Sequence, residues 1–248
     1  MAELVYRPVI TFARGFFRAL DLRFTVEGEE HIPHHGGAVI TTNHVGYLDF
    51  AFIGYGARRR GKRLVRFLAK KEVFDHKISG PLMRGMRHIA VDRSAGAGSY
   101  AEAVHALRRG ELVGMFPEAT ISQSFCLKDF KTGAARMAID AGVPLVPGIV
   151  WGSQRVWTKG RKRKLARNHV PISVLFGTPM HPAPGDDPVA VTAALKAAMD
   201  ELLDRAQTSY PDKPAGPDDA WWLPAHLGGT APTLDEAQAR IPRKKTDS

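Results

Sequence analysis

His44 and Asp49 stand five residues apart in the stretch Asn43-His44-Val45-Gly46-Tyr47-Leu48-Asp49, which lies between two apolar runs. A histidine and a carboxylate near one another can serve as a general base and its orienting partner. On a single helix the two side chains would point about 140° apart, at roughly 100° per residue. They meet only if His44 lies in a turn and Asp49 in the first helical turn after it. Asp49 then accepts a hydrogen bond from one imidazole nitrogen, fixes the tautomer and leaves the other nitrogen basic. This is two-thirds of a Ser-His-Asp triad without an obvious serine, an arrangement suited to an enzyme whose nucleophile is the substrate's own hydroxyl. Taken alone, the pair also fits a turn histidine followed by a helix-capping aspartate.

The pair needs a strand before it and a helix after it. Ala38–Thr42 is a short β-branched run suited to a buried strand, and Leu48–Tyr55 is apolar enough for a helix packed on both sides. The same alternation continues along the chain. Strands are expected at Leu22–Val26, Val65–Ala69, His88–Asp92, Leu112–Phe116, Leu145–Val150 and Ile172–Phe176. Helices are expected at Tyr100–Arg109, Gly133–Ala141 and Pro188–Arg205, the last with Asp187 as cap and Pro188 in its first turn. Strand-helix alternation predicts an α/β fold with a largely parallel central sheet covered by helices, and a site on the loops after strand ends. His44, Lys70-Lys71, Arg93 and Pro117-Glu118 all follow such strands.

A chain of 248 residues, 44% of them apolar, buries a core of one domain's size. Its formal charge of +10 points to an anionic partner: nucleic acid, an acidic membrane face, an acidic carrier protein or a phosphorylated small molecule. With one cysteine, Cys126, no intrachain disulfide forms, and a reducing compartment is expected. Neither a secretory signal nor a membrane-spanning run of about 20 apolar residues is visible.

Residues 1–21 read as an amphipathic membrane-association helix. Val5, Val9, Phe12, Phe16 and Leu20 share one face and Arg7, Arg14 and Arg18 the other, with regular helix beginning at Pro8. Packing of this helix on the domain, with its arginines in solvent, is the alternative. Residues 22–209 form the main domain. Residues 210–248 read as a Pro-, Gly- and Ala-rich tail pinned by Trp221-Trp222, with a charged end at Arg243–Ser248. Two basic runs, Arg58-Arg59-Arg60 with Lys62-Arg63 and Arg161–Lys164 with Arg167, are solvated loops or contacts for lipid headgroups or donor phosphates. No nucleic-acid-binding fingerprint accompanies them, so no nucleic-acid partner is expected.

Four further stretches bear on the pair: Lys70–Phe74, Ile89–Arg93, Phe116–Thr120 and Val143–Pro147. In this order they resemble the blocks of the glycerolipid acyltransferase family, the acylglycerophosphate acyltransferases of phospholipid synthesis. The blocks are similar to Asn43-His44-x4-Asp49, the segment closing on Arg93, Phe116-Pro117-Glu118-x-Thr120 and Val143–Pro147. Lys71-x2-Phe74 and Phe130-Lys131-x-Gly133-Ala134 look like two further family elements, and the resemblance covers roughly residues 22 to 176.

The resemblance implies His44 as base, held by Asp49, acting on a glycerol hydroxyl as it attacks an acyl thioester. Lys71 and Arg93 would hold the acceptor's phosphate, and Glu118 and Thr120 would orient the acceptor or those cations. The partners implied are a lysophospholipid acceptor, an acyl-CoA or acyl-carrier-protein donor, and an anionic membrane surface. No metal or nicotinamide cofactor is implied. The enzyme would be a peripheral, monotopic protein at the cytoplasmic face of the cell membrane. Backbone amides near the His44 turn are the expected oxyanion donors. Two departures stand out: the family's Glu-Gly-Thr-Arg reads Glu118-Ala119-Thr120-Ile121 here, and Pro81 stands where an arginine usually follows the lysine-phenylalanine element. Glycerol 3-phosphate, or a lysophospholipid with a larger head group, is therefore an alternative acceptor. A non-catalytic, basic, peripheral-membrane lipid-binding protein is the rival reading.

Overall fold

The computed structural model describes residues 2–92 and 96–240. In chain order the elements are α1 (Ala2–Ala19), β1 (Arg23–Glu27), β2 (Ala38–Thr42), α2 (Asp49–Ala57), β3 (Val65–Lys70), α3 (Lys71–Asp75), α4 (Ser79–Gly85) and β4 (Ile89–Val91). They continue with α5 (Gly96–Arg108), β5 (Leu112–Met115), α6 (Gly133–Ala141), β6 (Leu145–Trp151), β7 (Pro171–Phe176), α7 (Pro188–Thr208) and α8 (Leu234–Ala239). The seven strands make one sheet in the order β1-β7-β6-β2-β5-β3-β4. Neighbouring strands are parallel except β6 and β7. The C-terminal ends of β6, β2, β5, β3 and β4 therefore share one edge, and the expected α/β architecture with a largely parallel sheet is the one seen.

Both faces of the sheet are covered, which is why its strands read as continuous apolar runs. Alternation along a strand sorts the side chains. Val39 of β2 and Leu145 and Ile149 of β6 pack with Leu107, Met137, Leu195 and Met199 from α5, α6 and α7. Their neighbours Ile40, Val146 and Val150 pack on the other face with Phe17 of α1 and Phe52 and Ile53 of α2. Asp187 caps α7 as its sequence predicts, accepting N–H bonds from Val189 and Ala190 at 3.0 and 3.3 Å.

The first helix departs from expectation in its start and its faces. α1 begins at Ala2 and runs through Pro8, which removes one intrahelical N–H without ending the helix. Its buried side chains are Tyr6, Phe17 and, just beyond the helix, Leu20. The Phe17 ring lies 5.1 Å from Phe52 and 5.4 Å from Phe24. Burying such side chains contributes about 1.5–3 kcal/mol each, enough to dock the helix on the domain. Phe12, expected on the same face as Leu20, is instead 75% exposed, with Phe16 stacked on it at 6.3 Å. Among the described residues no helix is long and apolar enough to cross a membrane.

The segment after α7 packs more closely than a pinned tail. Tyr210, Trp222 and Ala231 are part of the core beneath α7, and the Tyr210 hydroxyl donates to the Pro171 carbonyl at 2.8 Å. Arg243–Ser248 lie outside the described residues.

Candidate active site

β2 delivers the site. Its hydrogen-bonding role is carried one residue further by Asn43, whose side-chain amide donates to the Val150 carbonyl at 3.0 Å and accepts from the Val150 N–H at 2.8 Å. The chain then turns, and Asp49 opens α2. One Asp49 oxygen, Oδ2, accepts from His44 Nδ1 at 3.0 Å and from the backbone N–H groups of Val45 and Gly46 at 2.8 Å each. A carboxylate oxygen already accepting two N–H bonds can only accept a third, so the proton sits on Nδ1 and Nε2 is left as the base. Asp49 is fully buried, while His44 keeps part of its ring in solvent. Phe116, at the end of β5, stacks on the imidazole at 4.1 Å between centroids.

Gly46 is demanded by close approach: a Cβ there would meet Ser153 Oγ at 2.2 Å. The 153–158 segment after β6 also braces the turn from outside. Tyr47 N–H donates to the Trp157 carbonyl at 2.9 Å, and Thr158 Oγ1 donates to the Val45 carbonyl at 2.6 Å. From the other side, Ser122 N–H donates to the His44 carbonyl at 2.7 Å.

Glu118 reaches the same turn. Its Oε1 accepts the His44 N–H at 2.9 Å and its Oε2 accepts the Lys128 N–H at 3.1 Å, with 7% of the residue exposed. The carboxylate thus ties the turn to the loop after β5 and has both oxygens engaged by backbone. Burial pushes its pKa up from 4.5 to about 7, offset in part by those two N–H groups and by Lys128. The following residue, Ala119, sits at φ 60°, a left-handed conformation that glycine takes without strain. That geometry explains why the related motif carries glycine at this position.

Thr120 is exposed, and its hydroxyl and carbonyl both accept from Lys128 Nζ, the latter at 2.7 Å. Lys128 is a site residue that sequence reasoning missed, since a single lysine after Phe125-Cys126-Leu127 carries no periodic or motif signal. Its ammonium is half-buried, and its pKa is lowered chiefly by burial. Lys71 opens α3 at the end of β3, with Nζ 3.3 Å from Asp92 Oδ2. Two strand steps separate β3 from β2, about 10 Å at the usual spacing. Arg93 lies outside the described residues. The structure therefore brings His44, Asp49 and Glu118 into direct contact, adds Thr120 through Lys128, and sets Lys71 further along the same edge.

Four amides of the turn already have partners. The N–H groups of His44, Val45, Gly46 and Tyr47 are taken by Glu118, Asp49, Asp49 and Trp157 respectively. They hold the turn's shape, and these four amides are engaged.

An apolar groove of about 370 Å³ opens beside the site between α1 and α2, floored by Val9, Ala13, Phe17, Phe50 and Phe67. Phe67 stacks on Phe116 at 6.1 Å, and Phe116 on His44, so one ring stands between the groove's Phe67 wall and the imidazole. Arg14, Arg58, Arg59 and Lys62 stand on its rim.

A histidine oriented by a buried aspartate at the carboxyl edge of a parallel sheet, with an apolar groove nearby, is an arrangement chemically able to activate a hydroxyl. The family model described as Acyltransferase matches residues 23–151, and the chain belongs to that family. The 1-acyl-sn-glycerol-3-phosphate acyltransferase of Bacillus subtilis (strain 168) is 28% identical over 187 residues, covering 71% of this chain and 86% of that protein. The Limnanthes douglasii protein of the same name is 32% identical over 160 residues, 63% of this chain and 54% of its own length. Among solved structures, the 1-acyl-sn-glycerophosphate (LPA) acyltransferase PlsC from Thermotoga maritima shares the fold. It superimposes with a TM-score of 0.71 at 20% identity, covering 85% of this chain and 83% of that one.

Proposed function

We propose that this acyltransferase moves a fatty acyl group from acyl-CoA to the free hydroxyl of a lysophosphatidic acid-type acceptor, at a membrane surface. The observation that carries the reading is the His44 Nδ1–Asp49 bond, which leaves Nε2 basic beside the apolar groove. Nε2 takes the proton of the acceptor hydroxyl as its oxygen attacks the thioester carbonyl. The tetrahedral adduct then collapses, the C–S bond breaks, and the departing thiolate takes the proton back from the imidazolium. The acceptor oxygen is itself the nucleophile, so no acyl-enzyme forms. The groove suits an acyl chain, and Lys71, at the end of β3, suits the acceptor's phosphate together with Arg93. Phe12 and the basic groove rim suit a peripheral position at an anionic, cytoplasmic membrane face.

Thiol release from acyl-CoA tests the reading, with lysophosphatidic acid, glycerol 3-phosphate and a lysophospholipid of larger head group offered in parallel. Release that depends on lysophosphatidic acid, with a KM for it raised by Lys71→Ala, is the expected result. Release with another of the acceptors alone would move the acceptor assignment. Vesicle binding without acceptor-dependent release from any of them would make this a lipid-binding protein instead.

A further inference from the structure

A second, smaller cavity of about 180 Å³ lies behind the catalytic turn, lined by Gln123, Phe125, Lys159, Arg161, Trp221 and Arg240. Its position follows from the two loops that brace His44. Ser122, which holds the His44 carbonyl, precedes Gln123, and Thr158, which holds the Val45 carbonyl, precedes Lys159. The cavity is thus one residue removed from the turn on both loops. Three cations, Lys159, Arg161 and Arg240, border it, and none of them enters an ion pair among the described residues. Arg161 is held at the wall by the Trp221 ring, 4.8 Å from its centroid, rather than extending into solvent. Lys128, which holds Thr120, feels Lys159 as a neighbouring like charge, with Glu118 opposing it.

Three cations around a concave site with an aromatic wall suit a phosphorylated, planar ligand. We propose that this cavity receives the phosphorylated adenosine end of the acyl-CoA donor, with the phosphates on Lys159, Arg161 and Arg240 and the base against Trp221. Its side of the fold supports this assignment over the acceptor. Lys159 and Arg161 follow β6, which flanks β2 on the side opposite β5, β3 and Lys71. A donor held partly by the β6 loop would leave the β3 side, where Lys71 stands, to the acceptor.

The proposal rests on acyl-CoA being the donor, and the test separates the two. The 248-residue chain is titrated with CoA by calorimetry, as wild type and as Lys159→Ala/Arg240→Ala. Both positions are exposed, and thermal unfolding confirms that the variant is folded. The variant is expected to bind CoA about tenfold or more weakly. Its KM for acyl-CoA should rise in step, while its KM for the lipid acceptor stays within about twofold. Equal CoA affinity in both proteins would overturn the site, even if acyl transfer is normal. Turnover with acyl-carrier protein by a wild type that binds no CoA would overturn it too. CoA binding that the variant loses, in a wild type that transfers no acyl group, would uphold the site and refute the functional reading instead.

Discussion

A single oxygen of Asp49, Oδ2, lies 3.0 Å from His44 Nδ1 and 2.8 Å from the N–H groups of both Val45 and Gly46. The carboxylate therefore orients the base and shapes the turn that carries it. Asp49→Asn presents either an amide oxygen, weaker as a partner for the ring, or an NH2 that drives Nδ1 to the wrong tautomer. Turnover is expected to fall about 10²-fold or more. Steady-state thiol release on folded Asp49→Asn protein checks this, and a loss below threefold would mean that Asp49 does not orient the base.

Glu118 gives a pH signature. Because burial raises its pKa from 4.5 to about 7, the folded protein keeps a proton between those values that the unfolded chain has released. The stability this provides is fully present below about pH 4.5 and is lost as pH rises through about 7, on the order of 3 kcal/mol in all. Glu118→Gln carries no such proton, so the difference in unfolding free energy between the two proteins should change over that interval. Activity moves the opposite way: the ionised carboxylate is the better acceptor for the His44 N–H, so wild-type turnover should fall as pH drops through about 7. Parallel pH dependences of stability for the two proteins would contradict the account.

Ala119 holds φ 60° at a cost of about 1–2 kcal/mol relative to a residue without Cβ. Ala119→Gly should stabilise the fold by about 1 kcal/mol after glycine's greater unfolded-state entropy is counted, raising Tm by about 2–4 °C. A lower Tm in thermal unfolding would show that the methyl group packs usefully.

Phe12 offers the membrane an apolar ring that the domain leaves outside, while Tyr6 and Phe17 hold α1 in place. Binding to anionic vesicles is expected to be partly reversed by salt, which screens the basic groups. Phe12→Ser should weaken the part that survives high salt. Flotation at low and high salt measures both parts, and wild-type protein left at the bottom in each would place the enzyme off the bilayer.

The strands were legible because a sheet covered on both faces writes itself as short, largely apolar runs, as in Ala38–Thr42 and Leu145–Val150. The His44–Asp49 contact was legible because only a turn followed by a helix start lets that spacing close. The faces of α1 were not. Val5, Phe12 and Leu20 fall on one side of an ideal wheel, yet the aromatic ledge of Phe24, Phe52 and Tyr55 selects Phe17 instead. Such a ledge exists only after distant segments have met. Partners of Glu118 were hidden for the same reason: its oxygens bond backbone N–H groups at positions 44 and 128, and a backbone amide leaves no mark in side-chain identity. Lys128 and Asn43 likewise act on backbone groups of other segments, the loop at Thr120 and strand β6 at Val150.

The measurement closest to the central claim is acceptor-dependent thiol release by His44→Ala. His44 is partly exposed and its ring caps no buried polar group beyond Asp49, so the variant should fold. The account predicts a cooperative unfolding transition near that of the wild type, an unchanged affinity for CoA and turnover reduced to near background. Folded His44→Ala protein that releases thiol at the wild-type rate would contradict it.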